Sequence, residues 1–261
     1  MLFSYHASFW LCNLCEDSIM RVKITLAYDG ANYYGFQHQK GAINIEDTLL
    51  QAISKVDSNV KKIYGSGRTD RYVHARGQVV HFDTDIRIKE EKWPIAINAY
   101  LPADIMVLEA KYVDDDFHAR FSAIKKEYRY LIRYKSYDLF ERNYMDYFSN
   151  INFEVLEKAL KKFEGTHDFR GFCSAQIHDL KPTIKTIYEA NLIMHDEYFE
   201  LQFIGDGFLK YQVRKMTGTL IDVAIGKKHI SIIDDIFESR DSKKSNRVLS
   251  GHGLYLMNVW Y

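Results

Sequence analysis

Val22, Ile24 and Leu26 alternate with Lys23, Thr25 and Ala27. This period of two constrains the fold most, because it sends every second side chain to one buried face. The alternation returns at residues 128–134, where Tyr128, Tyr130, Ile132 and Tyr134 share one side and Arg129, Leu131 and Arg133 the other, and again at residues 254–260. Residues 192–194, followed by Phe199, Leu201 and Phe203, read as a hairpin around His195-Asp196-Glu197, and residues 78–82 as a further strand. Helical spacing is sparser. Asn44 caps a helix whose Leu49, Leu50, Ile53 and Val56 share a face, and residues 93–100 form a short helix stopped by Leu101-Pro102. Asn152 opens and Gly165 closes a helix marked by Phe153, Leu156, Leu160 and Phe163. Val213, Met216 and Leu220 mark another, ending near Gly226, with Arg214 at the rim of its apolar face. Residues 166–177 read as a long loop and residues 238–247 as a loop or mobile insert. Strands outnumber βαβ signals, so the pattern predicts an α+β protein with a largely antiparallel sheet and helices outside it.

Composition bears on partners more than on fold. Of 261 residues, 47% are hydrophobic and 27% charged, as in ordinary soluble domains. The 35 basic and 35 acidic residues cancel, so any surface for a polyanion must come from uneven placement. Residues 117–135 carry six Lys or Arg against one acid, Glu127, with Tyr128, Tyr130 and Tyr134 interleaved. Cations among aromatics suit a nucleic-acid groove with stacking platforms, and they equally suit a solvated strand face beside core tyrosines. Three cysteines, two of them in Cys12-Asn13-Leu14-Cys15, are too few for a disulfide framework or a four-ligand zinc site. Residues 1–19 lack Lys and Arg and are too interrupted to span a bilayer, so they are expected to be an extension outside the fold.

Residues 67–75, Gly67-Arg68-Thr69-Asp70-Arg71-Tyr72-Val73-His74-Ala75, set one carboxylate among cations on an irregular segment leading into a Val-rich strand. Asp70 is the candidate catalytic group, since loops held by a rigid sheet commonly carry chemistry. The same residue type in a Gly-containing loop also makes turns by bonding its own backbone.

The G-R-T-D and V-H-A of this stretch resemble the signature of the TruA family of tRNA pseudouridine synthases. Further blocks agree in order: Tyr28-Asp29-Gly30 with Tyr34-Gly35-Phe36-Gln37, residues 117–123 with Lys126-Glu127-Tyr128-Arg129-Tyr130, and Phe208-Leu209 with Val213-Arg214 and Gly218. They run from Met20 to the C-terminus. The resemblance implies a pseudouridine synthase-like fold, a mixed sheet with two similar α/β subdomains (residues 20–115 and 116–261) around a central cleft. It implies isomerisation of uridine at positions 38, 39 and 40 of the tRNA anticodon stem-loop, without cofactor or metal, by a homodimer, for which the cytoplasm is the default address. Asp70 would be the catalytic carboxylate, Arg214 its partner and Tyr128 the ring that stacks on the flipped base. Arg68 would fill the gap left by that base, with Arg71 and Lys126 also on the substrate. Two departures stand out: Arg71-Tyr72 replaces the family's Ala-Gly, and Ser250-Gly251-His252-Gly253-Leu254 replaces Ala-Pro-Ala-x-Gly-Leu. The first leaves open a non-catalytic or altered-specificity RNA-binding homologue. A hydrolase pairing Asp70 with Asp168 or Asp206 is a third reading of the same carboxylates.

Overall fold

The computed structural model describes residues 19–174 and 182–261. Most of the expected extension, with Cys12 and Cys15, therefore lies outside the described residues. Among the described residues ten strands make one sheet: β1 Met20–Tyr28, β2 Tyr64–Gly65, β3 His74–Thr84, β4 Ile105–Val113, β5 Lys125–Arg133, β6 Asp146–Tyr147, β7 Gly165–Asp168, β8 Ile184–Met194, β9 Tyr198–Gly205 and β10 Leu254–Trp260. The helices are α1 Ile45–Val56, α2 Trp93–Asn98, α3 Phe153–Lys161, α4 Gln212–Ala224 and α5 Ile232–Ser239. The spatial order is β4-β1-β3-β10-β5-β9-β8-β7, with β2 beside β3 and β6 beside β5. This is the α+β arrangement that the alternation implies.

The two runs of strands meet where β10 pairs parallel with β3, Tyr255 opposite His74 and Leu256 opposite Ala75. On its other side β10 pairs antiparallel with β5. β3 is buried at every position except Arg76 and Asp83, as expected of a central strand covered on both faces. Helix α2 packs on β4 and α1 on α2, while α3 and α4 pack against each other and on β8 and β5. Asn44 caps α1 as expected, its side chain accepting from the Asp47 N–H, and Asn152 caps α3 in the same way through Val155.

β2, β6 and α5 were not read from the sequence, and three further differences have a clear physical reason. β4 escaped notice because its pairing with β1 shifts register at Thr25/Leu26, so its buried residues run Ile105, Val107, Ala110 instead of alternating. Residues 165–168, expected within a helix end and a loop, form edge strand β7; polar Thr166, His167 and Asp168 gave no apolar alternation because one side of an edge strand is wet. Residues 169–172 of that expected loop form a 3₁₀ turn, and residues 175–177 lie outside the described residues. The segment 238–247 is neither wholly loop nor a free insert. Glu238 belongs to α5, and the ammonium of buried Lys215 donates to the Ser242 carbonyl (2.8 Å) and the Ser245 hydroxyl (3.3 Å). Ser245 is fully buried and donates to the Gly171 carbonyl. Polar composition suggested solvent, whereas these polar groups are the anchors.

At the junction of the two runs, a Cβ on Gly77 would lie 2.4 Å from the Met257 carbonyl oxygen. Backbone on both sides leaves little room to yield, so Gly77→Ala is expected to cost about 1–3 kcal/mol of stability. Urea unfolding of the two proteins measures it, and an unchanged midpoint would refute the close approach.

Candidate active site

The loop before β3 is pinned from both ends. Ser66 N–H donates to the Val79 carbonyl (2.8 Å), Ser66 Oγ to Gln78 Oε1 (2.6 Å), and Gln78 Nε2 to the Gly67 carbonyl (3.0 Å). Further on, Thr69 Oγ1 lies 2.8 Å from the Tyr28 hydroxyl, and the Thr69 carbonyl accepts from Phe36 N–H (3.1 Å). Gly35, at φ +96°, permits that approach, because a Cβ there would sit 2.7 Å from the Thr69 oxygen. The Asp70 carbonyl then closes a turn by accepting from Val73 N–H (3.2 Å). His74 anchors the start of β3: its Nδ1 accepts from Gly30 N–H (3.1 Å) and its Nε2 faces the Asn143 carbonyl (3.0 Å). An accepting Nδ1 carries no proton, so the Asp29 oxygen 3.1 Å away is not an ion-pair partner; burial, which pushes the His74 pKa down, favours the same neutral ring.

Asp70 is thus held by its backbone while its side chain turns elsewhere. Oδ2 accepts from Arg214 Nη1 at 3.3 Å, across 144 residues. The turn-making alternative holds for the Asp70 carbonyl, not for its carboxylate. Arg214 is the one α4 residue that is not buried, and its Nε donates to the Leu249 carbonyl at 2.7 Å. That second bond fixes the plane of the guanidinium. Tyr211, at φ +66° just before α4, lies 5.0 Å beneath it. Burial raises the Asp70 pKa, and the Arg214 charge and hydrogen bond, with Lys210, only partly oppose the shift. A pair about 4 Å apart at an effective dielectric near 20 gains on the order of 4 kcal/mol before the cost of desolvation is subtracted.

Tyr128 enters from β5, buried and edge-on to Phe208 (5.1 Å), and burial, the Tyr28 hydroxyl and the Asp70 charge all raise its pKa. Lys126 shares that face of β5 by the period of two. Its ammonium donates to the Ser66 carbonyl (2.5 Å), and burial, reinforced by Arg120 and Lys185, lowers it to about 8. Arg68 is exposed on the loop. The structure brings Asp70 to Arg214 and within electrostatic reach of Tyr128, and Lys126 to the base of the loop. Asp168 instead caps a 3₁₀ turn and pairs with Arg240 (3.2 Å), while Asp206 accepts from Thr186 N–H (3.1 Å). A concavity of about 650 Å³ lined by Asp114, Asp116, Phe117 and Tyr261 does not include Asp70.

The two departures from the family pattern meet in space. Tyr72 takes φ +67°, the left-handed conformation that a glycine would adopt freely and that costs another residue about 1–2 kcal/mol. Its ring stacks on His252, centroids 4.5 Å apart and planes 11° apart. The Arg71 guanidinium lies 4.2 Å from the Tyr72 ring on one side and 4.1 Å from the Tyr34 ring on the other. Gly251 lets the C-terminal segment in, since a Cβ there would meet the Arg71 carbonyl at 2.1 Å. Sequence reading missed Lys210, Tyr211, the Leu249 carbonyl, Tyr34 and His252 at this site. Two of these had a signal: His252 as part of a departure, and Tyr34 as a member of a block that carries the resemblance.

Comparison with known proteins agrees over most of the chain. A family model described as tRNA pseudouridine synthase matches residues 24–122 and 159–261. A protein named tRNA pseudouridine synthase A from Bacillus subtilis (strain 168) is 42% identical over 246 residues, 93% of this chain and 99% of the relative. One of the same name from Geobacillus sp. (strain WCH70) is 41% identical over 244 residues, 92% and 98% of the two chains. Among solved structures, one of a Cbf5-Nop10-Gar1 complex superposes with a TM-score of 0.33 at 14% identity, over 67% of this chain and 40% of that one, too slight a likeness to argue from.

A carboxyl whose folded-state pKa lies above its unfolded value stabilises the fold when protonated, and that contribution is lost as pH rises through the folded value. Asp70→Asn is therefore expected to raise Tm at pH 7, by an amount that shrinks as the pH approaches about 4. Calorimetry at the two pH values checks the sign. A Tm lowered at pH 7 would mean that the Arg214 charge outweighs burial.

Proposed function

The chain belongs to the tRNA pseudouridine synthase family, and on that premise we propose that it isomerises uridine to pseudouridine in the tRNA anticodon stem-loop, at positions 38, 39 and 40. The reaction breaks the bond from C1′ to N1 of uracil, turns the base, and joins C1′ to C5; N1 gains a proton and C5 loses one. The detached uracil is the returning nucleophile. One carboxylate can then suffice, where glycosidases use two to activate water. Asp70 is that carboxylate, attacking sugar or base or removing a sugar proton; each role needs it ionised and aimed. The observation that supports this assignment best is the Asp70–Arg214 pair, in which the arginine is itself fixed by the Leu249 carbonyl.

Target uridines must leave the helix stack to be reached. Tyr128 stacks on the extruded base, a contact worth roughly 1–3 kcal/mol, and Arg68 fills the gap left behind. Lys126 and Arg71 hold neighbouring RNA. Two copies of a net-neutral chain pool their basic segments into one groove, so the working form is a cytoplasmic homodimer. Light scattering at micromolar concentration tests the dimer; a monomer alone would remove it.

Incubation with unmodified tRNA, followed by mapping of pseudouridine at each position, tests the activity. Asp70→Asn is expected to lower turnover by about a thousandfold or more while tRNA still binds. Arg214→Lys cannot hold the Leu249 carbonyl and Asp70 in one plane and should lower kcat on the order of a hundredfold. Release of free uracil would indicate hydrolysis instead. Binding without turnover by the wild-type chain would make it a non-catalytic homologue.

A further inference from the structure

Tyr34, Arg71, Tyr72 and His252 form a ladder of four planar groups whose second rung, Arg71, is the residue next to Asp70. Arg71 has no ion-pair partner among the described residues, so its charge is held between two rings without a carboxylate. Tyr34 is the terminal rung and is 43% exposed. The rungs are rigid by construction. Tyr72 N–H donates to the Tyr33 carbonyl (3.2 Å), Tyr34 N–H to the Ile43 carbonyl (2.9 Å), and the glycines at 35 and 251 bring backbone hard against residues 69–72 from both sides.

The strain at Tyr72 needs a reason, because glycine would relieve it at once. What glycine could not supply is the ring that backs Arg71. A guanidinium sandwiched in this way presents Tyr34 as a fixed, positively backed aromatic plate, which is the surface a nucleobase stacks on and a phosphate approaches.

We propose that Tyr34, supported by the Arg71–Tyr72–His252 stack, is a second base-stacking platform that takes an unpaired nucleobase flanking the target uridine. This deepens the reading of the site as a tRNA-modifying centre and rests on it for the identity of the RNA. It also gives the two departures one shared purpose: the ring at 72 and the ring at 252 are a single support.

The test measures tRNA affinity by filter binding with Tyr34→Phe, Tyr34→Leu and Tyr34→Ala in the full chain, all carrying Asp70→Asn so that turnover does not blur the readout. The Leu and Ala variants should bind roughly 5- to 150-fold more weakly, and Phe should restore affinity to within about twofold of tyrosine. With anticodon stem-loops made abasic at each flanking nucleotide in turn, one abasic RNA should erase the difference between Phe and Leu. Leu binding as tightly as Phe, or a difference that survives in every abasic RNA, would overturn the proposal. Pseudouridine formed by the wild-type chain alongside an indifferent Tyr34→Leu would sink this inference alone. Absence of pseudouridine in any tRNA would sink the parent reading, and the affinity comparison would still decide Tyr34.

Discussion

The parallel pairing of β3 with β10 is the joint on which the site depends. β3 begins just after the Asp70 loop, and β10 is preceded by residues 249–253, which touch Arg214 through the Leu249 carbonyl and Tyr72 through His252. Placing the last strand between β3 and β5 therefore sets a carboxylate from early in the chain, a guanidinium from α4 and a C-terminal segment against one another. Such distant pairing carries a loop-closure cost that local structure does not. The buried face of β3 and the nearly all-round burial of α4 offset it.

Desolvation is the second theme. Burial raises the carboxyl of Asp70 and the phenol of Tyr128 and lowers the ammonium of Lys126, all three shifts favouring the neutral form. Charges in such a place persist only with partners, and the partners are specific: Arg214 for Asp70, the Ser66 carbonyl for Lys126. Because the chain is neutral overall, affinity for a polyanion must arise from local groups such as these and the exposed Arg68.

Regular elements that bury one face were readable from periodicity. β1, β5, β10, α1 and α4 showed themselves through apolar spacing, and Asn44 and Asn152 through their capping chemistry. Elements whose order comes from neighbours were not. A register shift hid β4, an edge position hid β7, and the anchors of residues 242–245 are polar groups that look like solvent-facing ones until Lys215 is seen beside them.

For the site, local residue pattern selected Asp70 as the group to watch, and the resemblance named Arg214 and Tyr128 as its companions. It also marked Tyr72 as a residue in a glycine's place, and the backbone there does adopt a left-handed angle. By itself the sequence determined the periodic strands and helices, the unusual backbone at Tyr72 and the residue types available for chemistry, since these are properties of a few neighbouring side chains. The tertiary structure alone decided that the Arg214 guanidinium meets Asp70, that Leu249 orients it, and that Tyr72 stacks on His252. Those contacts join residues 35 to 180 positions apart, and strand order, invisible to any local pattern, sets which of them meet.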